Sequence, residues 1–406
     1  MTVKYGTVKT EKLHNPTSKT SDRRCPVSSK CGGCQWIDRP YEEQLRAKET
    51  RFRKLMERFC RPEPIIGMEQ PAHYRNKVHA VFGEDRRHGI ISGIYEERSH
   101  RIVPVDSCLI ENEKADAIIV TIRGLLRSFK IRPYNEDTGR GLLRHVLIRT
   151  GQATGQIMVV LVLASPVLPC RNDFVKALLE RHPEITTIVV NVNDRNTSMV
   201  LGDKEKVIYG KGYIEDRLCG KIFRISPKSF YQVNPSQAEK LYGKAMEYAA
   251  LTGRETVLDA YCGTGTIGII ASAQAGRVIG VELNPEAVRD ARSNAKRNQA
   301  DNISFYQNDA DVLLQQMAEQ GEKPDVLLMD PPRSGSSEAF LSAAARMEPG
   351  KIVYISCNPD TLVRDLEVLT GKGYRAERGR AVDMFPFTDE IEAVCLLSKL
   401  DVKQHI

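Results

Sequence analysis

The chain has 406 residues, of which 41% are hydrophobic and 27% are charged, and its formal net charge is +7. This length predicts about two or three domains with ordinary cores, and no apolar run approaches the roughly 18 residues that span a membrane. The polar first 24 residues lack the apolar core of a signal peptide, so we expect a flexible basic tail (1–24) on a cytoplasmic protein.

Three cysteines lie close together directly after this tail. Cys25, Cys31 and Cys34 fall within ten residues, whereas the other seven cysteines are scattered along the chain. In a reducing compartment such a cluster indicates metal binding before a disulfide. Its spacing leaves structural zinc, an iron–sulfur cluster and an incidental group of thiols open, and a fourth ligand has to come from far away in the sequence.

A helix is predicted over residues 41–60, because apolar side chains recur there at steps of three and four. Its basic residues, Lys48 among them, are predicted to lie on solvated faces. Short β-like runs and two helices follow from about residue 70 to 229, which predicts an α+β domain. We expect 25–36 and 70–229 to form a central domain, and 37–69 to be a helical segment that packs on the domain that follows.

Residues 230–406 alternate strands and helices in the manner of a doubly wound, mostly parallel sheet. Apolar runs supply its strands at 256–260, 278–282, 303–306, 325–329 and 352–356. The stretches between them have the length that crossover helices need. A last run at 393–397 is predicted to be added at the edge of the sheet. This half of the chain is therefore predicted to be an α/β domain.

A glycine-rich turn at 263–268 follows the first of these strands. Its glycines let a cofactor approach the backbone at a helix N-terminus, and Glu282, at the end of the next strand, can accept hydrogen bonds from two ribose hydroxyls. This pattern fits a nicotinamide dehydrogenase or a methyltransferase that uses S-adenosylmethionine. The Asp-Pro-Pro-Arg sequence at 330–333 forms a rigid corner typical of enzymes that methylate bases, and it favours the methyltransferase.

Cys357 follows the fifth strand, where a buried and inert thiol is the plain alternative to a reactive one. Methylation at carbon 5 of a pyrimidine requires a thiolate that adds to carbon 6 and a base that later removes the carbon-5 proton. Cys357 lies where the thiolate is needed. The acidic segment 383–392 offers the base, with Glu392 favoured by its spacing and Glu390 as its rival.

These motifs together resemble the RNA uracil-5-methyltransferases. The resemblance spans roughly residues 25–400 and is carried by the sequences at 229–234, 259–268, 330–333, 356–359 and 385–392. It implies a Rossmann-like S-adenosylmethionine methyltransferase domain at 230–406 and makes Cys357 the nucleophile and Glu392 the base. It also implies contacts to S-adenosylmethionine from Gln232, Tyr261, Thr266, Glu282, Asp309 and Asp330.

We expect the central domain to bind RNA, and we expect a monomer with no membrane partner. The resemblance implies that the cysteines bind a [4Fe–4S] cluster, with Cys108 as the fourth ligand beside Cys25, Cys31 and Cys34. Members of the branch with such a cluster point to large-subunit ribosomal RNA as the substrate, with transfer RNA as the alternative. Candidate phosphate contacts, with the segment 74–77 favoured, are Arg75, Lys77, Arg86, Arg87, Arg98, Arg101 and Arg144.

Two departures from the family pattern stand out. Phe387 and Glu390 occupy positions where the family usually has histidines, so hydrogen bonding in the active site is expected to differ. Only 24 residues precede Cys25, so we expect no N-terminal RNA-binding β-barrel of the TRAM type.

Three other functions fit less well. A cytosine-5-methyltransferase would place a cysteine where Arg333 stands, and a dehydrogenase leaves Cys357 and the cysteine cluster unexplained. A non-catalytic RNA-binding module would be expected to have lost Cys357 or Glu392.

Overall fold

The N-terminal part of the molecule is a short helical segment. The computed structural model describes residues 25–97, 99–197 and 199–400, so the tail 1–24 and Arg98 lie outside the described residues. Helix α1 spans Ser28–Cys31, helix α2 spans Tyr41–Met56 and strand β1 spans Glu63–Ile66. Helix α2 ends four residues before the predicted position, where a turn brings the Cys60 amide back to the Met56 carbonyl at 3.0 Å.

The buried face of α2 differs from the predicted one. Gln44, Lys48, Phe52 and Met56 form it, so the solvated position predicted for Lys48 is wrong. The Lys48 ammonium is completely buried and lies 2.6 Å from the equally buried carboxylate of Asp383. A buried charge requires such a partner, since desolvation without one is costly. This ion pair joins α2 to the C-terminal part of the chain.

The central part is a mixed sheet of seven strands in the order β4-β3-β2-β5-β6-β7-β8. Its elements are β2 Lys77–Asp85, β3 Gly89–Tyr95, β4 Ile102–Pro104, α3 Glu113–Ser128, β5 Leu143–Thr150, β6 Ile157–Leu163, α4 Arg171–Arg181, β7 Ile185–Val192 and β8 Lys204–Tyr209. The two helices share one core with one face of this sheet. The predicted α+β architecture is therefore present.

A hairpin, β9 Ile214–Leu218 and β10 Lys221–Ile225, connects the two halves. Its apolar residues share one core with Leu147 and Val160 of the central sheet and with the helices that follow. The core is therefore continuous across residue 229, and the predicted domain division at that point stays a prediction.

The C-terminal half is an α/β domain built on eight strands in the order β1-β16-β17-β15-β14-β11-β12-β13. Its elements are α5 Pro235–Ala249, β11 Thr256–Ala260, α6 Thr266–Ser272, β12 Arg277–Glu282, α7 Pro285–Arg297, β13 Ile303–Gln307, α8 Ala310–Glu319, β14 Val326–Met329, α9 Glu338–Met347, β15 Lys351–Ser356, α10 Pro359–Gly371, β16 Tyr374–Val382 and β17 Glu392–Lys399. The predicted doubly wound, Rossmann-like sheet is confirmed.

The predicted edge position of the last strand is wrong. Strand β17 lies inside the sheet and pairs antiparallel with both β15 and β16. Strand β1 then joins β16 in parallel and forms the edge. The sequence analysis did not predict β1 or β16, and these two strands extend the sheet beyond β17. Within the described ranges, no helix has the length and hydropathy needed to cross a bilayer.

Candidate active site

The sheet brings the predicted chemical groups to one edge. Strands β11, β12, β14 and β15 run parallel, so the residues after their carboxyl ends meet at the same crevice. Strand β17 runs the opposite way and pairs Ala393 with Ser356. Cys357 and Glu392, each one residue further toward the crevice, therefore lie beside each other. This register joins residues that are 35 positions apart in sequence.

The glycine-rich turn forms a cradle against the end of β12. The Glu282 carboxylate accepts hydrogen bonds from the Gly263 amide at 3.0 Å and from the Asn284 amide at 2.7 Å. Gly263 has a φ of +54°, and a side chain there would meet no atom within 4 Å. The turn therefore presents backbone to open space, as a nucleoside cofactor requires. This geometry fits the predicted cofactor site.

Three further predicted contacts surround the same turn. Tyr261 has a φ of +62° and its ring packs on that of Phe340 with centroids 5.0 Å apart. Thr266 begins α6, and its hydroxyl lies 3.4 Å from that of Thr264. Asp309 is exposed and caps α8 by accepting a hydrogen bond from the Asp311 amide at 2.8 Å. Tyr261 and Asp309 lie near each other because they follow the carboxyl ends of β11 and β13 in the same parallel sheet.

Gln232 and Asp330 meet at a buried tyrosine that the sequence did not single out. The side-chain amide of Gln232 donates to the Tyr242 hydroxyl at 3.2 Å. Burial, and then the charges of Asp330 and Glu392, raise the pKa of Tyr242. Burial also raises the pKa of Asp330 to about 7. Tyr242 lies on the apolar stripe of α5, so its sequence pattern shows only a core residue.

Cys357 and Glu392 influence each other electrostatically. Burial, followed by the charges of Glu392 and Asp330, raises the pKa of the Cys357 thiol to about 11, and Arg333 opposes this shift. Glu392 is 5% exposed, and burial, then Asp330 and Glu390, raise its pKa well above its usual range. Burial thus favours the neutral form of both groups before a substrate binds.

Glu390 points toward a different partner. Its carboxylate pairs with the Arg333 guanidinium at 3.1 Å, and its side chain is 39% exposed. Phe387 is buried, with a φ of +69°, and packs in a small apolar cluster with Tyr74 and Cys34. Of the two residues that depart from the family pattern, Glu390 therefore forms an ion pair with Arg333 and Phe387 packs in the apolar cluster. The choice of Glu392 as the base stays a prediction.

We expect covalent attack by Cys357 to accelerate with pH. A thiol with a pKa near 11 gains about tenfold in thiolate for each pH unit below that value, and only the thiolate is nucleophilic. The rate of adduct formation with an RNA that carries 5-fluorouracil, measured by quenched flow between about pH 7 and pH 9, should rise accordingly. RNA binding measured at each pH is the control. A rate that stays flat at constant binding would contradict this expectation.

The predicted cluster ligands gather at one place. Burial, then the charges of Cys108, Cys31 and Cys25, raise the pKa of Cys34 to about 12, and all four cysteines are free thiols. Cys108 and Cys34 also contact the apolar cluster around Phe387. However, in residues 25–97, 99–197 and 199–400 no group of three or more His, Cys, Asp or Glu side chains is arranged to hold a metal ion. The thiols are thus neighbours without the geometry of a coordination site.

The favoured phosphate-contact segment lies beside the crevice. The Tyr74 hydroxyl donates to the Pro386 carbonyl at 3.1 Å, and the Asn76 amide donates to the Val233 carbonyl at 2.9 Å. A surface role for Arg144 is wrong, because its side chain is buried and pairs with Glu136 at 2.7 Å. Arg98 lies outside the described residues.

An exposed aromatic residue beside Gln232 was also missed. Phe230 is 67% exposed, although both of its neighbours, Ser229 and Tyr231, are buried. The Ser229 carbonyl accepts a hydrogen bond from buried Arg149 at 2.5 Å, so the segment is anchored. The only signal in the sequence is the pair of adjacent aromatic residues, Phe230 and Tyr231, in this segment.

Known proteins with similar sequences are RNA methyltransferases. A family model described as tRNA (Uracil-5-)-methyltransferase matches residues 40–400. An uncharacterised RNA methyltransferase of Halalkalibacterium halodurans is 45% identical over 378 residues, which are 92% of this chain and 82% of that protein. A second, of Clostridium acetobutylicum, is 41% identical over 400 residues, which are 96% of this chain and 87% of that protein.

A solved structure agrees with these relatives. The crystal structure of Pyrococcus abyssi tRNA (uracil-54, C5)-methyltransferase in complex with S-adenosyl-L-homocysteine is similar with a TM-score of 0.77 and 27% identity. The match covers 93% of this chain and 87% of that one. Sequence and fold thus agree over most of the molecule, and the chain belongs to the family of RNA uracil-5-methyltransferases.

Proposed function

We propose that this protein transfers a methyl group from S-adenosylmethionine to carbon 5 of a uridine in RNA, through a covalent bond between Cys357 and the base. The observation that carries the proposal is the pairing of β15 with β17, which brings Cys357 and Glu392 together beside Asp330. A thiol and a carboxyl group at one place are what the reaction requires.

Each residue has a defined part in this reaction. When bound, S-adenosylmethionine supplies a methyl group on a sulfonium centre. The Cys357 thiol first loses its proton to solvent. The thiolate then adds to carbon 6 of uracil, and the electron pair of the C5–C6 double bond moves toward O4, which makes carbon 5 nucleophilic. After carbon 5 has gained its methyl group, the Glu392 carboxylate removes the remaining proton. The double bond then re-forms and sulfur leaves as the thiolate.

The cofactor would be held at the cradle and along the crevice. We propose Gln232, Glu282 and Asp330 as the main contacts, with Tyr261, Thr266 and Asp309 as further ones. The open side of Gly263 supports this placement, as does the S-adenosyl-L-homocysteine in the Pyrococcus abyssi relative. Glu282 is already oriented by two backbone amides, and each of its carboxylate oxygens keeps a lone pair that a ribose hydroxyl can use.

The target uridine has to leave its stack to reach Cys357. Flipping costs a few kcal/mol and is cheapest in loops and bulges. Exposed Phe230, on its anchored segment, offers a ring on which a displaced base can stack. We propose the central domain, 25–36 with 70–229, as the part that holds the surrounding RNA, and 37–69 as the helical link to the catalytic domain 230–406.

Large-subunit ribosomal RNA is the substrate that we propose, because the chain resembles the cysteine-bearing branch of the family. Transfer RNA is the second candidate, favoured by the description of the matching family and by the substrate in the name of the Pyrococcus abyssi relative. Either RNA would present a uracil base to the same active site.

Mapping of the modified base tests the proposal and separates the two RNA classes. We expect 5-methyluridine, measured by mass spectrometry, to disappear from one position in large-subunit ribosomal RNA when the gene is deleted and to return on complementation. Loss of 5-methyluridine from transfer RNA alone would identify transfer RNA as the substrate. Unchanged 5-methyluridine in both RNA classes would contradict the proposed function.

We further propose that Cys25, Cys31, Cys34 and Cys108 hold a [4Fe–4S] cluster that fastens the N-terminal segment to the central domain. The convergence of four free thiols supports this, and binding would require their side chains to turn toward a common centre. Protein purified without oxygen should contain about four irons per chain and absorb broadly near about 400 nm. The Cys108→Ser variant should lose the iron. One zinc per colourless chain would contradict the prediction.

A further inference from the structure

A buried tyrosine links several of the side chains proposed for the site. Tyr242 lies on α5, is 2% exposed, and accepts the hydrogen bond from the Gln232 side-chain nitrogen. Asp330 and Glu392 both act on it electrostatically. None of the reacting atoms needs its hydroxyl group. A polar group buried at this position therefore calls for another role.

The Gln232 side chain is held with its amide nitrogen toward the Tyr242 hydroxyl, which leaves the other end of the amide available to a ligand. The nitrogen and oxygen of an amide diverge from one carbon, so an amide that gives its nitrogen to a hydroxyl directs its oxygen elsewhere. Within the described ranges no hydrogen bond engages that oxygen. The main chain of Gln232 is held separately, because its carbonyl accepts a hydrogen bond from the Asn76 side chain at 3.0 Å. Gln232 is thus anchored at two points, with an acceptor oxygen left over.

We propose that Tyr242 is a positioning residue for the cofactor, and that it locks Gln232 so that the amide oxygen meets a hydrogen-bond donor of the bound ligand. The donor that fits is the cationic amino group of an amino-acid moiety, because the Asp330 carboxyl group acts on the same tyrosine and can balance a positive charge. The inference rests on the proposed placement of S-adenosylmethionine at Gln232. Without the hydroxyl, the amide would be free to turn and present its nitrogen.

A double-mutant cycle on the full-length protein tests this role, with S-adenosyl-L-homocysteine as the probe in calorimetric titrations. Tyr242→Phe removes one oxygen and keeps the ring, and we expect it to weaken binding about fivefold. Gln232→Ala should weaken binding by at least as much. In the Gln232→Ala background, Tyr242→Phe should have no further effect, because the tyrosine acts through the amide. A purely structural contribution of Tyr242 would persist in that background.

Tyr248→Phe is the matched control. Tyr248 lies on the same helix and is equally buried, but its hydroxyl donates to Glu63 at 2.9 Å. Its loss should leave the affinity for S-adenosyl-L-homocysteine unchanged, and melting temperatures measured for each variant show that the fold is retained.

The outcomes separate this inference from the proposed function. Unchanged affinity in Tyr242→Phe, or the same penalty with and without Gln232, would overturn the positioning role. Weaker RNA binding with unchanged cofactor binding would also overturn it, since the donor would then belong to the base. If Gln232→Ala itself binds S-adenosyl-L-homocysteine normally, the proposed cofactor placement is wrong instead.

Discussion

Cys357→Ala is expected to abolish methylation while leaving cofactor binding intact. Without the thiolate, carbon 5 of uracil gains no negative charge, so the rate should fall by at least about 10⁴-fold. The side chain is half-buried directly after β15, so we expect the fold to tolerate its truncation. Methyl transfer to RNA from cells that lack the gene, followed with a radiolabelled donor, measures the loss. Affinity for S-adenosyl-L-homocysteine should remain within about threefold of wild type.

Cys170→Ala is the control for loss of a thiol. Cys170 is exposed in the central domain, directly before α4, and its removal should leave the rate unchanged. Substantial turnover by Cys357→Ala would refute the covalent mechanism. Loss of activity in both variants would point instead to a general sensitivity of the protein to cysteine replacement.

Local sequence patterns predicted the parts of the fold that depend on residues adjacent in sequence. Strand β11 spans the residues that its apolar run predicts, and helix α7 fills a stretch predicted as a crossover, because each is bounded by its own turn or capping residues. Strand β1 has four residues and contains a proline, and β16 carries charged residues along one face. Such strands form only because a neighbour offers a pairing edge, so their own sequences predict them poorly.

The site, like the fold, was predictable where local sequence determines it and not where distant residues do. Strand ends and motifs located Glu282, Asp330 and Cys357 at one crevice, since parallel strands share their carboxyl ends. The spacing of Lys48, four residues before Phe52, places it on the apolar stripe of α2. Its partner Asp383 lies 335 residues away, so the helix alone does not identify the ion pair. The role of Tyr242 depends on a hydrogen bond across ten positions to Gln232, which the apolar pattern of α5 conceals.

Glu392→Gln is expected to trap the enzyme on its RNA. The amide cannot take the carbon-5 proton, so the bond between Cys357 and carbon 6 persists after methylation and turnover falls by about 10²- to 10⁴-fold. The substitution preserves the size of the side chain, which is 5% exposed where β17 begins. Incubation with RNA and S-adenosylmethionine should therefore give a complex that survives denaturing electrophoresis. Without the methyl donor, thiolate addition can reverse and the complex should be scarce.

Glu390→Gln distinguishes the two carboxylates. Glu390 is partly exposed and pairs with the exposed Arg333, and an ion pair at the surface contributes about 1 kcal/mol or less. Its loss should therefore change turnover by no more than about fivefold and should trap no RNA. Accumulation of the adduct in Glu390→Gln, with normal turnover in Glu392→Gln, would move the base to Glu390. The antiparallel register argues for the other result, because it is Glu392 that the sheet holds beside Cys357.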